Sequence, residues 1–185
     1  MIIEISGVII IMEYIALLRG VNAGGNRKVD MKKLKMLFES LGHINVSTYI
    51  NSGNVFFESK YKHNIIREKV ENELEKEFGF TIPTLIKTKQ EIKTIATAIP
   101  AEWKNNSEQR TDVAYLFPEV NTKNILNKLP FKKELIEVRY IKGAIYWNLD
   151  RININKSHLS QLVSHEVYQF MTIRNVNTAR YLAEK

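Results

Sequence analysis

VSTYINSGNVFFE, residues 46–58, decides the fold. Val46 to Ile50 and Val55 to Glu58 are two β-rich runs separated only by Asn51-Ser52-Gly53-Asn54, residue types that tolerate tight turns, so the stretch reads as a hairpin. Upstream, Tyr14-Ile15-Ala16-Leu17-Leu18 is a short apolar run of strand length. A loop with three glycines follows it, and then Leu34, Leu37, Phe38 and Leu41 recur at helical spacing, with Asp30 placed to cap and Gly42 to stop. Downstream, a helix from about Asn64 to Phe78 carries Ile66, Val70, Leu74 and Phe78 on one face, Gly79 ends it, and Phe80 to Lys87 reads as a further strand. The order is β-α-β-β-α-β, the split unit of ferredoxin-like folds.

The same order recurs in the second half. Lys89 to Ala98 is predicted as a linking helix before Pro100, and the polar stretch Glu102 to Asp112 as a boundary loop. Val113 to Phe117 then reads as a strand, Thr122 to Lys128 as a short helix, and Ile136 to Ile141 with Ala144 to Leu149 as a second hairpin around Lys142-Gly143. A helix from His158 to Phe170, a strand at Thr172 to Arg174 and a terminal helix complete it. The expectation is an α+β chain of duplicated ferredoxin-like units with antiparallel sheets. Residues 12–100 form the first half with its linking helix, and residues 101–185 the second half with its C-terminal helix.

Composition narrows the function classes. The 185 residues contain no cysteine, which removes disulfides, thiolate metal sites and cysteine nucleophiles and fits a cytoplasmic location. The net charge of +7 permits anionic partners. Ile, Lys and Asn number 23, 19 and 17, a bias that AT-rich coding alone produces, so the charge carries little weight. The apolar opening segment is interrupted by Glu4 and Glu13 and lacks a basic flank, so it reads as neither membrane span nor signal peptide. Residues 1–11 are expected to be a non-native or disordered extension, with Met12 as the initiator.

Catalytic patterns are thin. His43, His63, His158 and His165 show no metal-ligand spacing, and Ser164-His165-Glu166 would point in different directions on a helix. No cofactor is implied, and the sequence gives neither a reaction nor an oligomeric state. The strongest local signal is LLRGVNAGGNRKV, residues 17–29, a glycine-rich loop between strand and helix that can offer backbone N–H groups to an anion. It matches neither the Walker A pattern nor G-x-G-x-x-G. Arg27, Lys28, Lys32, Lys33 and Lys35, with Asp30 opposing, form a basic cluster that nucleic acid could use.

Together, YIALLRGVNAGG at 14–25, YINSGNVFF at 49–57 and TIRNVNT at 172–178 resemble the bacterial domain-of-unknown-function 1697 family. The resemblance runs from about Met12 to the C-terminus. Its members typically read LLRGINVGG, QSGN and TxRNWNT at these places. Asn51 stands here for the usual Gln, and Val176 for the usual Trp. The resemblance implies a duplicated ferredoxin-like α+β fold and no established activity. It points to Arg19, Gly20, Asn22, Gly24 and Gly25, to Ser52, Gly53 and Asn54, and to Arg174, Asn175, Asn177 and Thr178, with Lys156-Ser157 similar to a cation-serine pair before the late helix. With Lys28 these are the candidate ligand-binding residues. The expected ligand is an anionic, phosphate-bearing small molecule, with Arg19 and Arg174 as charge partners. Nucleic-acid binding through the basic first helix is the alternative, as is a purely structural role for the motifs where the halves meet.

Overall fold

A computed structural model of the chain describes residues 2–5, 8–25 and 27–185, with Ile5 described by its backbone alone. Met1, Ser6 and Gly7 of the expected extension, and Asn26 of the glycine-rich loop, lie outside the described residues. Within the extension, β1 (Glu4–Ile5) and β2 (Val8–Ile9) pair antiparallel. Ile2 bridges to Tyr61, and the Ile3 N–H donates to Lys60 O at 2.7 Å.

The first half contains β3 (Met12–Leu18), α1 (Met31–Ser40), β4 (Ile44–Tyr49), β5 (Asn54–Ser59), α2 (His63–Phe78) and β6 (Thr84–Thr88). Its sheet runs β4-β5-β3-β6 with every neighbour antiparallel. Read from β6, that is the fourth, first, third and second strand of the unit, the ferredoxin-like order. Alternation along β3 sends Tyr14, Ala16 and Leu18 toward the helices, where they meet Leu34 and Phe38 of α1 and Ile66, Val70 and Leu74 of α2. Each such fully buried Leu, Ile or Phe contributes about 1.5–3 kcal/mol.

Local chemistry sets the helix ends. Asp30 Oδ1 accepts from the N–H groups of Lys32 and Lys33 at 2.8 and 2.9 Å, which fixes the start of α1. Gly79 ends α2 at φ 78°, a left-handed cap that a side chain resists. The strand expected from Phe80 begins only at Thr84, because Pro83 has no N–H to give to a ladder.

The second half contains α3 (Lys89–Thr97), β7 (Gln109–Leu116), β8 (Glu137–Ile141), β9 (Ala144–Asp150), β10 (Met171–Asn175) and α4 (Val176–Glu184). Its sheet, β10-β7-β9-β8, repeats the same strand order, again antiparallel throughout. The fold is therefore α+β with two antiparallel four-stranded sheets, consistent with duplicated ferredoxin-like units.

Several details differ from what the sequence leads one to expect. The chain divides into compact units after Lys89, ahead of the boundary expected at residue 100. The linking segment packs on the second unit: Tyr146 Oη donates to Ala98 O at 3.0 Å, Arg180 Nη2 to Pro100 O at 2.9 Å, and Trp103 meets the Tyr146 ring edge-on. Gln109 to Asp112, expected in a loop, are the first residues of β7.

The expected helix 158–170 is two 3-10 segments, Leu159–Ser164 and Glu166–Phe170, separated by extended His165. Its buried residues Leu159 and Leu162 are three apart, the spacing a 3-10 turn stacks, and Val163 is 64% exposed where an α-helix would have buried it. The short helix expected at 122–128 is likewise a 3-10 turn, Lys123–Asn127.

Candidate functional site

The glycine-rich loop is built around Asn22. This residue adopts a left-handed backbone at φ 53°, which Asn accepts more readily than most residues. Its side chain is bonded at both ends: Nδ2 donates to Val29 O at 2.9 Å and Asn51 O at 2.8 Å, and Oδ1 accepts from the Val29 N–H at 2.9 Å. The Asn22 N–H donates to Arg27 O at 3.0 Å. One amide side chain thus closes the loop on itself and ties it to the hairpin tip. Arg27 is also engaged, with Nη2 donating to Thr81 O and the guanidinium 5.1 Å from the Phe80 ring centre.

The hairpin tip is fitted to the same loop. Asn54 is fully buried, and its Nδ2 donates to Tyr49 O at 3.0 Å and Ser52 Oγ at 2.9 Å, closing the four-residue connection. Gly53 has φ 72°, and a Cβ there would lie 2.6 Å from Leu18 Cβ and 2.8 Å from Val21 Cγ2. The second left-handed residue of this turn is Ile50 at φ 47°, where the sequence had pointed to Asn or Gly. Arg19 is half-buried, and its N–H donates to Pro83 O at 2.9 Å.

Gly24 and Gly25 behave differently. Their φ values of 84° and 93° require glycine, yet a Cβ at either would meet no atom of the described residues within 4 Å. They border an open cleft of about 780 Å³ with Asn22, Lys28, Lys32, Asp30 and Asn51. Lys28 and Lys32 make no ion pair among the described residues, and the Asp30 carboxylate is spent on the first turn of α1. Those two backbone hydrogen bonds, the Lys33 N–H first, hold its carboxyl below the usual range against the opposing effect of desolvation.

The wider basic cluster is more compensated than the sequence suggested. Lys33 pairs with Glu77 at 3.0 Å and Lys35 pairs with Glu39. The second pairing was legible as an i,i+4 spacing, whereas the first needed α2 to pack beside α1.

In the second half, Arg174 is 7% exposed, and its Nη1 donates to Thr172 Oγ1 at 2.9 Å and Ile173 O at 2.8 Å. Burial pulls the guanidinium down to about 10, partly countered by nearby Tyr115. Tyr115, across the ladder from Thr172, is itself pushed up by burial, and its hydroxyl has no hydrogen-bond partner among the described residues. Asn175 caps α4, with Oδ1 accepting from the Thr178 N–H at 3.0 Å. Asn177 is exposed and donates from Nδ2 to Asn105 O at 3.4 Å. Ser157 is fully buried: its Oγ donates to Ile154 O at 2.9 Å and accepts from the Leu159 N–H at 3.3 Å, while neighbouring Lys156 is exposed.

The family model described as "Protein of unknown function (DUF1697)" matches residues 11–147. The chain belongs to the DUF1697 family. The start of the match at residue 11 agrees with where the motif resemblance begins. No curated protein matches this DUF1697 chain. Among solved structures it is similar to a conserved bacterial protein, SP0830 from Streptococcus pneumoniae, at 24% identity and a TM-score of 0.82, over 95% of this chain and 98% of that one. At that identity the likeness shows the shared fold.

The structure also presents residues that the sequence reading passed over. Arg110, Asp112 and Arg151 cluster at one end of the second sheet, and the signal for them was the alternation of Arg110 and Asp112 within a stretch read as loop. Among the described residues no group of three or more His, Asp or Glu is placed to hold a metal ion. No described helix is long and apolar enough to cross a membrane.

Proposed function

We propose that this DUF1697 protein binds an anionic, phosphate-bearing small molecule in the cleft beside Gly24 and Gly25. The observation that carries the reading is the pair of left-handed glycines whose Cβ positions are clear of every described residue. Packing does not demand that backbone, whereas a ligand approaching the main chain closely would. Lys28 and Lys32 supply the charge and Asn51 a neutral edge. A cytoplasmic location accords with the cysteine-free sequence.

The remaining first-half motif residues fit a structural role inside their own half. Asn22, Ser52, Gly53 and Asn54 join loop to hairpin, as the bonds and close contacts of Asn22, Asn54 and Gly53 describe. Arg174, Asn175 and Ser157 are bonded within the second half. The paired state of Arg27, Lys33 and Lys35 weakens the nucleic-acid alternative.

The test is a thermal-shift screen against nucleotides and sugar phosphates. A ligand at about 100 times its Kd adds about 2.7 kcal/mol, a shift of several degrees. Lys28→Gln/Lys32→Gln should abolish the shift while leaving the unliganded Tm in place. A hit whose shift survives that double substitution moves the site elsewhere, and a screen without hits removes the reading.

A further inference from the structure

A polar rim on the second sheet lies outside that cleft. Arg110 sits on β7 opposite Leu149 of β9, and Gln109 sits opposite Asp150, the residue before Arg151. Both arginines therefore emerge at the same end of one strand pair. Arg110 donates from Nε to Asp112 Oδ2 at 2.7 Å, and among the described residues its two Nη groups have no hydrogen-bond partner. The Arg110 side chain is 38% exposed.

Arg151 is held from the other side. Its N–H donates to Glu108 O at 2.7 Å, its Nε to Asn106 O at 2.5 Å and its Nη2 to Asn105 Oδ1 at 3.0 Å. The loop supplying these acceptors is itself fixed, because Asn106 Oδ1 accepts from the N–H groups of Glu108 and Gln109 at 3.0 and 2.8 Å. Asn177, the exposed residue of the late motif, borders the same loop through Asn105.

Asp112 is 5% exposed. Desolvation raises its carboxyl, against the opposing charges of Arg110 and Arg151. The Trp147 indole N–H, directly across the ladder, acts on it electrostatically without a hydrogen bond of normal geometry. One carboxylate thus stands in the field of two guanidinium groups, and it occupies only the Nε of Arg110. The Nη pair of that fork remains available, in the geometry guanidinium uses to grip an oxyanion through two parallel bonds.

We propose that Arg110 and Arg151, with Asn177 at the rim, form an oxyanion site on the second half that takes the phosphate group of a small phosphate monoester. A tetrahedral phosphate offers oxygens both to the Arg110 Nη pair and to the Nη1 of Arg151, the one nitrogen its loop bonds leave over, approaching from a different direction. A planar carboxylate satisfies one of the two. The site shares no residue with the Gly24-Gly25 cleft and does not depend on it.

Titration of inorganic phosphate into isotope-labelled protein, followed by NMR of the Asn177 side-chain amide and the Arg110 and Arg151 Nε–H signals, tests the assignment. The three signals should move together along one saturable curve, and acetate at equal ionic strength should leave them in place. Arg110→Gln/Asp112→Asn removes the ion pair as a unit and leaves no uncompensated buried carboxylate. It should weaken phosphate binding at least tenfold, whereas Lys28→Gln/Lys32→Gln should leave that binding unchanged. If the first double variant does not fold, Arg110→Lys keeps the charge, loses the fork and should bind several-fold more weakly. Unmoved or non-saturating signals, equal affinity for acetate, or a folded Arg110 variant that binds like the wild type would each overturn the proposal.

Discussion

Gly53 rests directly on Leu18: its carbonyl accepts from the Leu18 N–H at 2.8 Å, and a Cβ added to it would lie 2.6 Å from the Leu18 Cβ. The hairpin tip and the root of the glycine-rich loop are in contact there, with no room for one methyl group. Gly53→Ala should destabilise the protein by about 2–4 kcal/mol, summing the left-handed penalty and the overlap. Urea denaturation reads it directly, and a loss below about 1 kcal/mol would mean that the two segments separate easily.

Ile50 carries the opposite problem in the same turn. A β-branched residue at φ 47° pays a steric cost that glycine avoids, and the side chain is 48% exposed, so little packing offsets it. Ile50→Gly should raise stability by about 1 kcal/mol. A lower Tm for this variant would show that the isoleucine contacts outweigh the backbone relief.

Asn22 holds the loop through three side-chain hydrogen bonds while keeping its left-handed backbone. Asn22→Ala loses both, and about 2–3 kcal/mol of stability with them. Asn22→Gly restores the backbone alone, so the difference between the two variants measures the conformational share. If Asn22→Gly matches the wild type, the hydrogen bonds contribute nothing.

His43 should make stability depend on pH. The ring is 4% exposed against Phe38 and Phe57, both nitrogens lack partners among the described residues, and desolvation, aided by Lys69, lowers its pKa from 6.5 to about 4. The unfolded chain binds the proton more readily, so this contribution is intact above pH 6.5 and is lost as the pH falls toward 4. The loss, discounted for solvent screening, is about 2 kcal/mol. His43→Phe should gain stability over the wild type progressively across that interval in denaturation curves. A constant difference between the two at pH 7 and pH 4.5 would be evidence against a buried neutral ring.

Asp30 separates capping from binding at the cleft. Serine at this position still accepts from the first-turn N–H groups but carries no charge, so Asp30→Ser should keep α1 folded by circular dichroism. Removing the negative charge from the cleft should tighten binding of any phosphate ligand there about two- to fivefold. Weaker binding by a folded variant would place the ligand away from Lys28 and Lys32.

The hairpin at 46–58, the capping Asp30, the stop at Gly79 and the doubled β-α-β-β-α-β order were legible in the residues, because each depends on contacts or conformations local to the chain. The turn chemistry was legible only in part. The tip does hold a left-handed glycine, but its other left-handed residue is Ile50, a β-branched type that turn chemistry does not favour at such a φ. The 3-10 segments of the second half escaped the reading because the spacing that buries Leu159, Leu162 and Val167 is set by the sheet they cover. The motif residues show the same division. Sequence grouped Asn22, Asn54 and Arg174 with Gly24, Gly25 and Lys28 as one polar set, and residue type alone holds no information on which side chains are already bonded. Packing decided that: it buried Asn54 and Arg174, bonded the side chain of Asn22 at both ends although it borders the cleft, and left the two glycines and the lysine facing that cleft.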